Sequence, residues 1–135
     1  MKNRVAYMEG KLNLYYDEWP MPEPAPGEVV VEVEYVGVCG SDLHFFESGM
    51  IGPRQIVGKQ VLGHEAAGTV FRVGEGVTSL KAGDRVAIEP GIACGSCRYC
   101  KQGLYNLCPS VKFISSNPYQ GAMQHFIAHP AHLCF

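Results

Sequence analysis

Four cysteines fall within fifteen residues: Cys94, Cys97, Cys100 and Cys108, spaced C-x2-C-x2-C-x7-C. Thiols this dense can form disulfides, ligate an iron–sulfur cluster or cage a metal ion. Four thiolates close a tetrahedron around zinc, with Zn–S near ~2.3 Å, and an all-cysteine set leaves no open coordination position, which makes such a site structural. Gly95 and Gly103 relax the backbone where the wrap is tight. Bacterial ferredoxins end their ligand run in C-x3-C-P. Here Pro109 does follow the last cysteine, but the final gap is seven residues and no second set of four exists. Disulfides suit oxidising compartments, and clustered cysteines of a cytosolic chain are read first as metal ligands.

A second group lies upstream. Cys39 in "GVCGSDLHFF" and His64-Glu65 in "VLGHEAAGTV" offer a thiolate, an imidazole and a carboxylate. Three mixed protein ligands with water in the fourth place are how catalytic zinc is built. Spacing alone does not bring Cys39 to His64, 25 positions away, and Glu65 read by itself is equally a solvated surface acid.

These residues need a rigid frame, and the sequence predicts a mainly β one. "RVAYME", "KLNLYY", "EVVVEVEYVGV", "AGTVFRVG", "DRVAIEP" and "AMQHFIAH" all read as strands. In the run Glu28 to Val38, the period of two puts Val29, Val31, Val33 and Tyr35 on a buried face. Glu28, Val30, Glu32 and Glu34 then line a mostly polar one. Turn residues in "EPAPGE", "GEG" and "KAGD" separate the strands, and the proline-rich "WPMPEPAPGE" reads as a connector. One short helix is expected in "SDLHFFES", with Ser41 or Asp42 as its N-cap. Many short strands predict an antiparallel barrel or sandwich. Two long irregular stretches, 46–59 and 91–111, remain for function, and the second holds the four cysteines.

Three motifs then coincide in order. Gly63-His64-Glu65 followed by Gly68, Gly74 and Val77 reproduces G-H-E-x2-G-x5-G-x2-V, which resembles the signature of zinc-containing alcohol dehydrogenases in the medium-chain dehydrogenase/reductase superfamily. "CGSDLH" is similar to their C-x-[ST]-D-x-H segment, and the four-cysteine run to their structural-zinc lobe. "CGSDLHFFESGMIG", "GDRVAIEPG" and "GLYNLCPS" resemble the sorbitol (L-iditol) dehydrogenase branch most.

The resemblance implies a GroES-like distorted β-barrel over residues 1–135, with short helices and a zinc-binding lobe at about 91–111. It implies Cys39, His64 and Glu65 as catalytic zinc ligands and Cys94, Cys97, Cys100 and Cys108 as structural ones. Ser41 matches the hydroxyl that contacts the substrate oxygen, and His44 the outer end of a proton relay. The implied reaction is oxidation of the secondary hydroxyl of a small polyol or alcohol, assisted by zinc, with hydride passed to NAD or NADP. Phe45 stands where sorbitol dehydrogenases often carry a tyrosine, and some of them lack the four-cysteine lobe. Polyols, amino alcohols, diols and simple secondary alcohols therefore all stay open as substrates.

The Rossmann domain that the family pairs with this barrel is not found in the sequence. The one G-x-G, Gly74-Glu75-Gly76, lacks a third glycine and a following helix pattern, and reads as a hairpin turn. The expectation is an N-terminal catalytic portion of a longer, homo-oligomeric enzyme, inactive alone. A non-catalytic GroES-like zinc-binding interaction module is the alternative, and an iron electron-transfer protein a third reading. Net charge of −2 without a Lys/Arg cluster gives no reason to expect nucleic acid or an anionic membrane as partner. No apolar run reaches the ~18 residues of a membrane span, and "MKNRVAYMEGKLNLYY" lacks the apolar core of a signal peptide. A cytoplasmic location is the default expectation. Cys134 is expected as a buried apolar residue, and His125, His129 and His132 as incidental neighbours rather than a third metal site.

Overall fold

The computed structural model describes residues 1–135. Strands β1 (Lys2–Met8), β2 (Leu14–Pro20) and β3 (Glu28–Gly37) precede helix α1 (Gly40–Ser48). A small hairpin follows, β4 (Met50–Ile51) and β5 (Arg54–Gln55), then β6 (Gln60–Val61), β7 (Glu65–Val73), β8 (Arg85–Ile88) and β9 (Gly91–Ile92). Helix α2 (Arg98–Lys101), a 3-10 turn at Tyr105–Leu107, β10 (Lys112–Phe113), β11 (Phe126–Pro130) and a last 3-10 turn at Ala131–Leu133 complete the chain.

All strand pairs are antiparallel, as the alternation and turn spacing predict. Four strands in the order β11-β3-β7-β8 form the main sheet, and β2-β1-β6 a second one. The core lies against the main sheet: Val29, Val31, Ala66, Val70, Val86, Ile88 and Ile127 are all buried in one cluster. Asn3 fastens β1 to β11 across the length of the chain. Its amide donates to the Phe126 carbonyl (2.9 Å), and its oxygen accepts from the Phe126 N–H (2.8 Å).

Strand β3 departs from simple alternation. Val29, Val31 and Val33 do face the core, but Tyr35 is 68% exposed and Val36 takes its place. The register explains it: Val33 opposes Gly68 while Tyr35 opposes Ala67, so Glu34 is an extra, unopposed residue. Such a bulge reverses the face of every residue beyond it. Gly68 is needed opposite this bulge, because a Cβ there would lie 2.0 Å from the Glu32 carbonyl oxygen. Val30 is buried too, not on a polar face. It shares its side of the sheet with Phe126, whose ring packs on Phe71 at 4.9 Å.

Three boundaries also differ from expectation. Residues 9–13 turn, so β2 starts at Leu14 and runs through Trp19 into the proline-rich segment. Trp19 is held there by the Tyr7 ring at 5.9 Å, with Tyr15 stacked on Tyr7 at 5.5 Å. β11 begins at Phe126 because residues 121–123 bond instead to 61–63: Gly121 N–H to the Val61 carbonyl (2.8 Å), Ala122 to Gly63 (2.8 Å) and Met123 to Leu62 (2.9 Å). The N-cap of α1 is Cys39, not Ser41 or Asp42. Cys39 has the extended conformation an N-cap requires (φ −81°, ψ 157°), and Asp42, at the third helical position, reaches back to its N–H. Gly49, at φ 74°, ends the helix.

Candidate metal centres

The four cysteines of the lobe converge. Their sulfurs all lie within 4.8 Å of one another, with Cys97 to Cys100 at 3.5 Å and Cys94 to Cys100 at 3.9 Å. All six cysteines of the chain are free thiols. The edge of a tetrahedron with Zn–S of ~2.3 Å is about 3.8 Å, so the two measured separations suit one shared ion. A four-iron cube would hold its cysteines farther apart.

Local backbone geometry sets this up. Cys97 caps α2, and its sulfur accepts from the Cys100 N–H (3.5 Å); Cys94 Sγ accepts from the Cys97 N–H (3.4 Å), and Cys108 Sγ from the Cys94 N–H (3.4 Å). Amide donors aimed at sulfur favour thiolate. The Cys94 thiol is brought down to about 6, first by the Ser96 backbone N–H and then by the Ser96 hydroxyl and the Cys97 N–H. Cys100 is pushed up to about 12, first by desolvation and then by the neighbouring Cys97 thiol. A divalent cation at the centre would remove that conflict.

From Ala93 to Leu107 no residue is buried; Cys108 is the lobe's one anchor in the interior. A lobe with no apolar core needs another source of order, and a structural metal ion supplies folding free energy directly. The donor set and this missing core both fit zinc.

The upstream residues also meet. Cys39, His64 and Glu65 place ligand atoms within 4.8 Å of one another, Cys39 at the start of α1, His64 between β6 and β7, and Glu65 at the head of β7. Gly37 faces Glu65 across the β3–β7 ladder, and a Cβ at Gly37 would lie 2.5 Å from Glu65 Oε2. The strand from 121 holds the His64 turn from behind: a Cβ on Gly121 would meet the Leu62 and Gly63 carbonyl oxygens at 2.3 and 2.6 Å. A mixed set of sulfur, nitrogen and oxygen donors in this arrangement fits zinc with one position open.

Asp42 matters here beyond helix capping. It is 3% exposed, and its carboxylate accepts from the N–H groups of Cys39 (2.9 Å) and Gly63 (3.3 Å). Its Oδ1 also lies 3.8 Å from His64 Nδ1, which leaves Nε2 as the natural ligand nitrogen. One buried acid thus ties together the two segments that carry Cys39 and His64. The signal was present in the sequence as an acid three residues after a cysteine, but its second partner is 21 positions away.

Ser41 and His64 line a cavity of about 200 Å³ with Phe45, Ile51, Arg54, Phe113, Ser115 and Ser116. The Phe113 ring lies 5.4 Å from that of His64. Arg54 and the segment from Phe113 to Ser116 were not singled out from sequence, since neither carries a motif. His44 is exposed on α1 and does not line the cavity.

The remaining candidates are placed as follows. Cys134 is 7% exposed, and burial raises its thiol to about 11. His125 Nε2 meets Glu32 Oε1 at 3.0 Å. His129 Nε2 lies 2.8 Å from the Glu89 carbonyl, which only accepts, so this nitrogen carries the proton. Gly74 packs on backbone, where a Cβ would lie 2.4 Å from the Ala25 carbonyl oxygen. No helix is long and apolar enough to cross a membrane.

Comparison with known proteins gives consistent relatives. The alcohol dehydrogenase GroES-like domain family matches residues 25–135. An uncharacterised zinc-type alcohol dehydrogenase-like protein of Escherichia coli is 48% identical over 134 residues, covering 96% of this chain and 38% of that protein. Sorbitol dehydrogenase of Gallus gallus is 45% identical over 131 residues, covering 97% of this chain and 36% of its own. The crystal structure of an Escherichia coli oxidoreductase/dehydrogenase of unknown specificity superposes with a TM-score of 0.93 at 46% identity, over all of this chain and 40% of the other. The chain thus spans well under half the length of the relatives it matches.

Proposed function

We propose a function from one premise: this chain belongs to the alcohol dehydrogenase GroES-like domain family. It carries the metal-dependent part of an oxidoreductase that takes hydride from the carbon bearing the secondary hydroxyl of a small polyol or alcohol. The observation behind this reading is the meeting of Cys39, His64 and Glu65 beside a cavity that Ser41 also lines.

Zinc held by these three residues supplies a Lewis acid that brings an alcohol's pKa toward neutrality. Cys39, His64 and Glu65 fix where the reacting hydroxyl sits. Ser41, in the cavity wall, would take the hydroxyl's proton while giving up its own toward the ribose of a bound cofactor, and His44, on the exposed side of the same helix, would pass it to solvent. Phe45 and Phe113 give the cavity apolar walls that limit water. Asp42 keeps His64 oriented. Cys94, Cys97, Cys100 and Cys108 hold a second, structural zinc.

The hydride acceptor is NAD or NADP, and we assign its binding to a Rossmann domain outside these residues, since the Gly74–Gly76 turn lacks a third glycine and leads into a strand, β8, with no helix. The lengths of the relatives support that assignment. Metal content per chain, measured by mass spectrometry on tag-free protein, tests the site reading. About two zinc ions are expected, one lost on Cys39→Ser and the other on Cys97→Ser. A metal content that is the same in Cys39→Ser as in the wild type would overturn the upper site.

A further inference from the structure

The cavity beside Cys39, His64 and Glu65 holds one group that oxidising a neutral alcohol does not use. Three hydroxyl side chains, Ser41, Ser115 and Ser116, share its wall with one cation, Arg54. No carboxylate lines it. The Arg54 guanidinium enters no ion pair within the chain, which it shares with Arg4, Lys11, Arg85, Arg98, Lys101 and Lys112, but of these it alone lines this cavity. It stands at the cavity's exposed edge on β5. Ser115, in the same lining, is buried, with φ at 70°. That left-handed backbone costs a non-glycine residue ~1–2 kcal/mol and persists where the surrounding structure over-determines it. Here it fixes two consecutive hydroxyl residues at the wall.

A neutral polyol calls for hydroxyl and carbonyl partners. A free guanidinium fork, with donor hydroxyls in the same lining and no competing acid, matches a phosphate or carboxylate bidentately. We infer that the substrate of this site carries a terminal anionic group, a phosphate ester or a carboxylate, and that Arg54 selects for it with Ser115 and Ser116 in support. The inference rests on the reading of Cys39, His64 and Glu65 as the alcohol site. A volume of about 200 Å³ lies below the usual ~300–1,000 Å³ of small-molecule pockets, which favours a short carbon chain.

Glycerol, glycerol 3-phosphate and glycerate are matched probes, each with a secondary hydroxyl. Each is titrated calorimetrically into the 135-residue chain loaded with zinc, and into the cobalt-loaded chain, whose visible spectrum reports a hydroxyl reaching the upper metal. At least one anionic probe is expected to bind about tenfold or more tightly than glycerol, as a charge-assisted pair requires. The larger gain of the two identifies the anion. Arg54→Gln should bring the gain to within about twofold, and Arg54→Lys should keep part of it. Equal binding of all three probes overturns the inference, and so does a gain that survives Arg54→Gln, since the anion would then be held by the metal. A cobalt spectrum that answers to glycerol while the anions gain nothing sinks this inference alone. A spectrum deaf to all three probes sinks the alcohol-site reading with it.

Discussion

Replacing Asp42 with asparagine isolates the one charge that joins the two ligand-bearing segments. Asparagine keeps the shape but carries a single acceptor oxygen. The wild-type carboxylate receives two backbone N–H groups, from Cys39 at 2.9 Å and Gly63 at 3.3 Å. The variant can satisfy one of them, while its NH2 group faces the other donor. A hydrogen bond to a charged group contributes ~1.5–3 kcal/mol, and a buried donor left unpaired costs ~1–3 kcal/mol. Asp42→Asn should therefore destabilise the chain by about 2–3 kcal/mol, seen in urea unfolding as a lower midpoint with an unchanged slope. The same change loosens the Gly63 turn that carries His64 and removes a charge 3.8 Å from its Nδ1, so metal affinity at the proposed upper site should fall, toward the ~10–100-fold typical of lost outer-shell partners. Cobalt titration should show that loss at one of two ions, with the four-cysteine ion untouched. An unchanged urea midpoint together with two unchanged metal affinities would refute the idea that Asp42 ties Cys39 to His64.

Cys100→Ser should release the lobe's ion and open residues 93–107 to protease, because nothing apolar inside the lobe replaces the metal; a lobe as resistant as wild type would mean that other contacts order it. Gly68→Ala should cost roughly 1–3 kcal/mol or more, since its Cβ would lie 2.0 Å from the Glu32 carbonyl oxygen, a backbone atom that cannot step aside. Gly37→Ala should weaken metal binding at the upper site with little effect on the lobe, because the new methyl contests the place of Glu65 Oε2; cobalt titration separates the two. Burial holds the His129 imidazole below its ordinary range of about 6.5. The unfolded chain thus binds a proton there that the folded chain refuses. Its stabilising contribution is complete above about pH 6.5 and is lost as the pH falls below that value. Unfolding measured between pH 7.5 and 5.5 should show the loss, and His129→Asn should flatten it.

That Cys94, Cys97, Cys100 and Cys108 converge, and Cys39, His64 and Glu65 likewise, was legible in the sequence because metal binding would need such rare residue types at fixed places. Cys94, Cys97 and Cys100 are close in the chain, so local turns bring their sulfurs together. Cys39 and His64 required the ordered motifs, since nothing in their own spacing joins them. The β class was legible from the alternating valines of β3, but only as far as Val33. Beyond that, the bulge at Glu34 is set by pairing with Gly68 and Ala67, and a single strand does not announce its partner's register. The helix cap was misplaced by two or three residues because Ser41 and Asp42 are favoured cap types. Asp42 does serve the cap, though as the acid reaching back to Cys39. Arg54 and Ser115 were illegible for a different reason: they enter the cavity from a two-residue strand and a strained turn, whose placement is tertiary.

The bond pair between Asn3 and Phe126 spans 123 positions, and it bears on how the chain is made. On a ribosome, synthesis runs from the N-terminus at ~5–20 residues per second, so β1 emerges many seconds before the strand that fixes it. During that interval β1 and β2 can form a hairpin, and Phe45, Val61 and Leu62 arrive to cover Val5, Tyr7 and Met8. The Asn3–Ala6 stretch of the edge still waits for residues 123–126. Pairings this distant are the slow kind. The nascent barrel therefore keeps the Asn3–Ala6 edge open until Phe126 is made, which makes that stretch a natural place for a chaperone to hold.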